Sequence, residues 1–337
     1  MCIHEQLLRF LQDANELTYL PLLQEIDLPT IRRMEEDAHS DEYARRKCRK
    51  IRELLPSLTI MNINTQRSIF NHFAEVRFYY ELRNESVITA IAEGNGPTPD
   101  FRIDFEGSAL FGEVKSISMA GSDANYTGVI WDAFGAELEL ERQRRQGRRA
   151  CIAEFVIQPA RRAEGDRNYD SRSARAVIEV INTKIRDLFN PAQFALGPTI
   201  LFADLSQWAL GCDAVRSLIP CYHEEWPGSN GSGVLWQVAF GRLGDLVFRP
   251  PEFEGASSDD GTLATQGLLL EFQTIAGVVF RYGLGDRARF LGLCQANQET
   301  PVARFIRQVA DHVNDDQNTY GHQLEMAYQQ QFPPPGP

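Results

Sequence analysis

Residues 98–117 read TPDFRIDFEGSALFGEVKSI, two strand-like segments, Phe101 to Phe105 and Leu110 to Ile117, with Glu106-Gly107-Ser108 between them. Side chains of a strand alternate between its faces. Phe101, Ile103 and Phe105 therefore share one face, and Asp100, Arg102 and Asp104 the other. On the second segment Glu113 and Lys115 lie together, with Val114 pointing away. A Gly107-Ser108 turn places Asp100 opposite Lys115, whereas a Glu106-Gly107 turn places it opposite Glu113. Both are tight hairpin loops, and either gathers the three groups on one face. A three-residue loop without a bulge separates them.

Two carboxylates held that close repel unless a cation lies between them. Oxygen ligands with room for water and phosphate suit Mg²⁺ or Mn²⁺ better than zinc. A lysine beside them adds a compact positive charge where a planar guanidinium fits poorly. Lysine is scarce here: of 34 basic residues only Lys47, Lys50, Lys115 and Lys184 are lysines. The plainer account of the same letters is a surface ion pair on a polar sheet face.

Around this hairpin the pattern alternates between helix and strand. Apolar spacing predicts short helices through the first 60 residues, divided by Pro21, Pro29 and Pro56, and a stronger helix from Gln66 to Leu82. Ile69, Phe73, Val76 and Tyr80 form its apolar stripe, and Glu75 lies off that stripe. Val87 to Ala92 reads as a short strand before the hairpin. Ile130 to Arg145 reads as a helix, Cys151 to Ile157 as a buried strand, the segment from Ser171 through Phe189 as a helix, and Thr199 to Leu205 as a strand. Five further runs, Gly233–Phe240, Leu246–Arg249, Leu268–Phe272, Gly277–Tyr282 and Arg289–Cys294, read as strands before a closing helix, Thr300–Val313. The expected class is α/β, a mixed sheet flanked by helices with an α-β-β-β-α-β core. The expected division is an N-terminal helical region (1–62), a core domain (63–299) with an insertion at 118–170 and extra C-terminal strands, and a closing helix and tail (300–337).

Bulk composition narrows the function. The chain of 337 residues is 43% hydrophobic and 24% charged, ordinary for a globular protein. No long apolar run suggests a membrane span, and the N-terminus shows no secretory pattern, so a cytoplasmic setting is expected. The six cysteines lack zinc or C-x-x-C spacing and read as free thiols. A net charge of −12 argues against a uniformly basic, polyanion-coating surface. Two stretches depart from that average: residues 45–52 (RRKCRKIR), and residues 142–175, which begin with Arg142, Arg144, Arg145, Arg148 and Arg149. Solvated faces explain both, and phosphate-facing patches are the sharper reading.

TPDFRIDF…LFGEVKS resembles the PD-(D/E)XK nuclease superfamily, and FAEVRFYYEL looks like that family's first core helix. The resemblance spans about residues 66–210. It implies a restriction-endonuclease-like fold and Mg²⁺ (or Mn²⁺) held by Asp100, Glu113 and the main-chain carbonyl of Val114, with Glu75 contributing directly or through water. Lys115 would activate the attacking water. It also implies hydrolysis of a phosphodiester, in DNA more than RNA, in a restriction, repair, mobile-element or defence context. The further polar residue that the family often carries after its third strand has Lys184, Asn182 and Gln143 as candidates. A protein partner or a homo-oligomer is compatible with so acidic a body. The competing expectation is a silent nuclease-like fold kept as a binding module, and a weaker one is a phosphoesterase for a small nucleotide. His72, one turn before Glu75, reads as a packed helix histidine, and the four tryptophans as core or rim.

Overall fold

The structure, a computed structural model, describes residues 2–15, 23, 26–91, 96–117, 123–153, 173–208, 234–248, 259–282, 289–296 and 299–317. Trp226, the Gly228–Gly233 loop, the arginines between 154 and 172 and the proline-rich tail lie outside them. The chain divides into two compact units, Met1–Val76 with Ser118–Ser171, and Arg77–Ile117 with Arg172–Pro337.

The first unit is helical among its described residues: α1 (Ile3–Asn15), α2 (Leu28–Asp37), α3 (Glu42–Leu54), the first part of α4 (Ile63–Arg83) and α5 (Asp123–Arg145). Aspartates start two of these helices. Asp27 accepts from Thr30 N at 3.2 Å, and Asp41 accepts from Tyr43 N at 2.9 Å and Ala44 N at 3.1 Å, satisfying amides that a helix leaves open. Ile3, Leu7, Ile31, Met34, Cys48 and Ile51 are buried where α1, α2 and α3 meet. The RRKCRKIR stretch belongs to α3 and is largely spent on structure. Lys47 is buried, Arg45 donates to the carbonyls of Ala38 and His39, and Arg52 pairs with Glu35 at 3.3 Å.

The second unit carries β1 (Val87–Ala90), β2 (Phe101–Phe105), β3 (Ser108–Ser116), β4 (Thr199–Asp204), β5 (Leu246–Phe248), β6 (Asp259–Thr262), β7 (Ile275–Tyr282), β8 (Arg289–Cys294) and β9 (His312–Asp315). Among the described residues a seven-stranded mixed sheet runs β1-β2-β3-β4-β7-β8-β9, and β5 and β6 pair separately. β1, β2 and β3 form an antiparallel meander, β4 and β7 continue parallel to β3, β8 returns antiparallel, and β9 lies parallel to β8. An α/β chain with a mixed sheet flanked by helices is thus what the sequence led us to expect.

One side of this sheet carries Phe101, Ile103, Phe105, Ile200 and Phe202. It meets the end of α4 through Phe78, whose ring lies 5.3 Å from that of Phe202. It also meets α9 (Pro301–Val309), capped by Thr300, whose Ile306 packs onto two bare glycines. A Cβ on Gly277 or Gly292 would stand 2.5 Å or 2.2 Å from Ile306 atoms, so only glycine lets the helix approach. The unit also holds α6 (Ala174–Leu188), which packs on α7 (Val234–Phe240), and α8 (Leu268–Glu271), which packs on β7.

Several local expectations need correcting. Val234–Phe240 and Leu268–Glu271 form helices, where strands were expected over Gly233–Phe240 and Leu268–Phe272. All seven residues of α7 are buried, and so short an apolar run has no period to separate the two forms. The closing helix stops at Val309, and His312–Asp315 becomes a strand. Cys151–Ala153 has no regular structure, and the rest of that expected strand lies outside the described residues. The α4 stripe is wider than its periodicity suggested, because Phe70, Ala74, Phe78, Tyr79 and Leu82 are buried as well.

Candidate active site

The β2–β3 hairpin sets the geometry. Glu106 (φ 47°) and Gly107 (φ 76°) both take the left-handed conformation, and Phe105 pairs with Ser108. This is the primed two-residue turn, whose twist matches that of the strands it joins. The pairing Phe101–Gly112 follows, so one step further Asp100 stands opposite Glu113. Of the two registers open from sequence, the Glu106-Gly107 turn is the one formed.

The three groups converge on Val114. Asp100 Oδ2 accepts the Val114 main-chain N–H at 2.8 Å, continuing the ladder with a carboxylate just before β2 begins. Val114 is the residue between Glu113 and Lys115. Lys115 Nζ donates to Glu113 Oε1 at 2.6 Å. Glu113 is only 2% exposed, while the Lys115 side chain keeps 15%.

A fourth member was not legible from the sequence. Gln193 Oε1 accepts from Lys115 Nζ at 3.2 Å, so the ammonium is shared between a carboxylate and an amide oxygen. Gln193 sits on the 3₁₀ turn Pro191–Phe194, started by Asn190, whose side chain accepts from Ala192 N at 3.2 Å. The Asn-Pro step marked a turn, but nothing in it pointed to Lys115. The candidates weighed instead have other surroundings. Gln143 is a clamp on Ile152, exchanging 2.9 Å bonds with its N–H and C=O, and Asn182 is fully buried in α6.

Glu75 belongs to the helical unit and is held there. Lys47, 2% exposed, donates to its Oε2, and His72 Nδ1 lies 3.6 Å from its Oε1. Burial alone would raise the Glu75 pKa. The His72 ring and the Lys47 ammonium outweigh that and hold it below the ordinary 4.5. The arginines in the last turn of α5 and just after it, Arg142, Arg144, Arg145, Arg148 and Arg149, are exposed. Arg142 forks onto Glu139 with two 2.6 Å bonds and holds that carboxyl at about 2, and Arg145 pairs with Glu141 at 3.0 Å.

A second polar cluster closes β4 and was not anticipated. Asp204, fully buried, accepts from Arg77, from Ser206 N at 2.9 Å and from Ser206 Oγ at 2.5 Å. Its strand partner Arg281 lies 3.5 Å from Glu81. Burial favours the neutral acid, but Arg77 and Arg281 hold Asp204 below its usual range, whereas burial prevails at Glu81 and raises it. Asp204 read from sequence only as the end of a buried strand.

The donor set at Asp100, Glu113 and the Val114 carbonyl consists of hard oxygens, which fits a magnesium-type ion. Among the described residues no group of three His, Cys, Asp or Glu side chains is arranged to hold a metal, so such an ion would rest on two carboxylates and main chain. Among them, too, no helix is long and apolar enough to cross a membrane. Family models, curated proteins and solved structures were searched without a match. The reading of this centre therefore rests on its own geometry.

Proposed function

We propose that the chain is a Mg²⁺-dependent nuclease that hydrolyses phosphodiester bonds of DNA at Asp100, Glu113 and Lys115. The observation that carries the reading is the convergence on Val114: Asp100 bonds its N–H, and its two neighbours are the paired Glu113 and Lys115. The order of elements supports it. With α5 set aside as part of the 118–170 insertion, α4, an antiparallel β1-β2-β3 meander, α6 and a parallel β4 are compatible with the α-β-β-β-α-β order expected of the restriction-endonuclease-like fold.

Asp100, Glu113 and the Val114 carbonyl are the atoms that would hold the ion. When bound, it supplies Lewis acidity to a phosphate oxygen and a more acidic water. Lys115, fixed by Glu113 and Gln193, presents a positive charge to the attacking water and to the charge that grows on the phosphate. Glu75, which the resemblance adds to this set, is paired with Lys47 in the helical unit, and loss of that pair strands a buried ammonium.

The test is incubation of supercoiled plasmid, linear DNA, single strands and RNA with Mg²⁺, Mn²⁺ or EDTA, beside Asp100→Ala and Lys115→Ala. The expected result is cleavage that needs the metal and is lost in both folded variants. Equal cleavage by wild type and variants would sink this site. A second reading, a silent nuclease-like fold acting as a binding module, is favoured by one observation: both carboxylates already hold protein donors. Absence of cleavage on every substrate, together with retention of DNA in EDTA, supports that reading.

A further inference from the structure

We propose that α5 carries a binding strip for a single-stranded polynucleotide, made of Trp131, Phe134 and Leu138 and continued by the arginines at its C-terminal end. The strip goes beyond the nuclease reading and does not rest on it. Trp131 is 63% exposed, Phe134 40% and Leu138 51%. At 3.6 residues per turn the three fall on one face of α5, and Arg142 and Arg145 continue it, all five within an arc of about 80° and over about 21 Å. The Trp131 and Phe134 rings, 6.1 Å apart, meet edge to face at 83°. Such a contact leaves ring faces that a parallel stack would close.

The basic end of the strip is held in place. Gly147 takes the left-handed conformation (φ 75°), its N–H bonds Arg144 O at 2.9 Å, and Arg148 N bonds Gln143 O at 3.2 Å, so the chain turns back directly after α5. Gln143 then clamps Ile152. Glu139 and Glu141 offset Arg142 and Arg145, and Arg144, Arg148 and Arg149 leave residues 139–149 at +3 in a chain of net charge −12. Asp132 and Glu137 occupy helix positions about 100° and 120° round from Trp131, and with both counted residues 131–149 stay positive. Charge and shape together choose the occupant. The arginines suit phosphates. Open ring faces suit unpaired bases, because the bases of a duplex already cover one another. A second copy of the chain fits less well: at about 150–250 Å² for a whole aromatic side chain, the exposed parts of the three come to roughly 300 Å², against ~800 Å² per partner in a stable interface.

The probes are a labelled oligothymidylate, an abasic strand with the same number of phosphates and a blunt duplex of equal length, titrated with the full chain in EDTA and read by fluorescence anisotropy. Wild type should bind the oligothymidylate about tenfold more tightly than the abasic strand. Trp131→Ala combined with Phe134→Ala should remove that preference and leave duplex affinity unchanged, whereas Trp131→Phe alone, which keeps a ring, should retain most of it. Arg144→Gln combined with Arg149→Gln should weaken the two single strands alike and flatten their salt dependence. No binding of the oligothymidylate, equal wild-type affinity for the strands with and without bases, or a preference that survives loss of both rings would each overturn the proposal. So would a dimer in sedimentation that the double alanine variant dissociates while its oligothymidylate affinity stays that of wild type, which would make the strip a contact between copies. The wild-type comparison of the two strands decides even if a variant folds poorly. EDTA removes cleavage, so failure of the nuclease reading and failure of this strip are read separately.

Discussion

Two lysine–glutamate pairs use two of the four lysines in this chain, and they do opposite work. Lys47 and Glu75 lie 28 residues apart on α3 and α4, so their bond ties two helices of one unit together. Glu113 and Lys115 lie two residues apart on one strand face, so their bond joins nothing that the strand does not already hold. Both pairs pay the desolvation of burial, with Lys47 and Glu113 each 2% exposed. Only the first is itself a bond between two elements; the second reaches a distant one through the bond from Lys115 to Gln193. On the proposed reading, a pair formed within one strand, next to a carboxylate on the neighbouring main chain, serves chemistry.

Breaking the structural pair should give the largest stability change. Lys47→Ala leaves Glu75 buried beside His72 without its ammonium and should cost about 3–5 kcal/mol in urea unfolding. Lys47→Met with Glu75→Leu should recover most of that loss. Acid separates wild type from this double variant. The Glu75 pKa is depressed by folding, so the pair's contribution is complete above about 4.5 and is lost as pH falls below it. Wild type should therefore lose stability more steeply than the double variant below pH 4.5, and parallel curves would contradict the pairing.

The hairpin can be strained without touching its charges. A Cβ on Gly112 would stand 2.8 Å from the Phe202 ring, which is itself packed on Phe78. Gly112→Ala should cost about 1–3 kcal/mol. It should lower activity only as far as the neighbouring Glu113 shifts, and a loss as deep as that of Lys115→Ala would mean that register matters more than charge. The smallest effect is expected at the end of α5. Arg148→Gln should weaken DNA retention alike for all sequences and lower the salt slope by about 1. An unchanged slope returns these arginines to plain surface.

Which parts were legible follows from where the signal was local. The hairpin could be read because alternation, a Glu-Gly turn and a Pro-Asp step lie within twenty residues, and two of the three loop choices gather the same groups on one face. α7 and α8 were misread because each is shorter than the window in which a helical period shows itself. Gln193 and Asp204 were invisible for a different reason. Their partners, Lys115 and Arg77, lie 78 and 127 residues away, and only the fold pairs them. Lys47 was singled out by rarity alone, which identified a lysine with a task but not which task.

The most direct measurement takes one preparation of Lys115→Ala and reads both its urea midpoint and its Mg²⁺-dependent cleavage rate per folded molecule. The expected result is an unfolding free energy lowered by no more than that of Lys47→Ala, since buried Glu113 loses its ammonium, and a rate per folded molecule lower by roughly 10²–10³-fold. A folded fraction that cleaves at the wild-type rate, with stability alone reduced, would make the strand pair structural, like its counterpart on the helices, and would contradict the account.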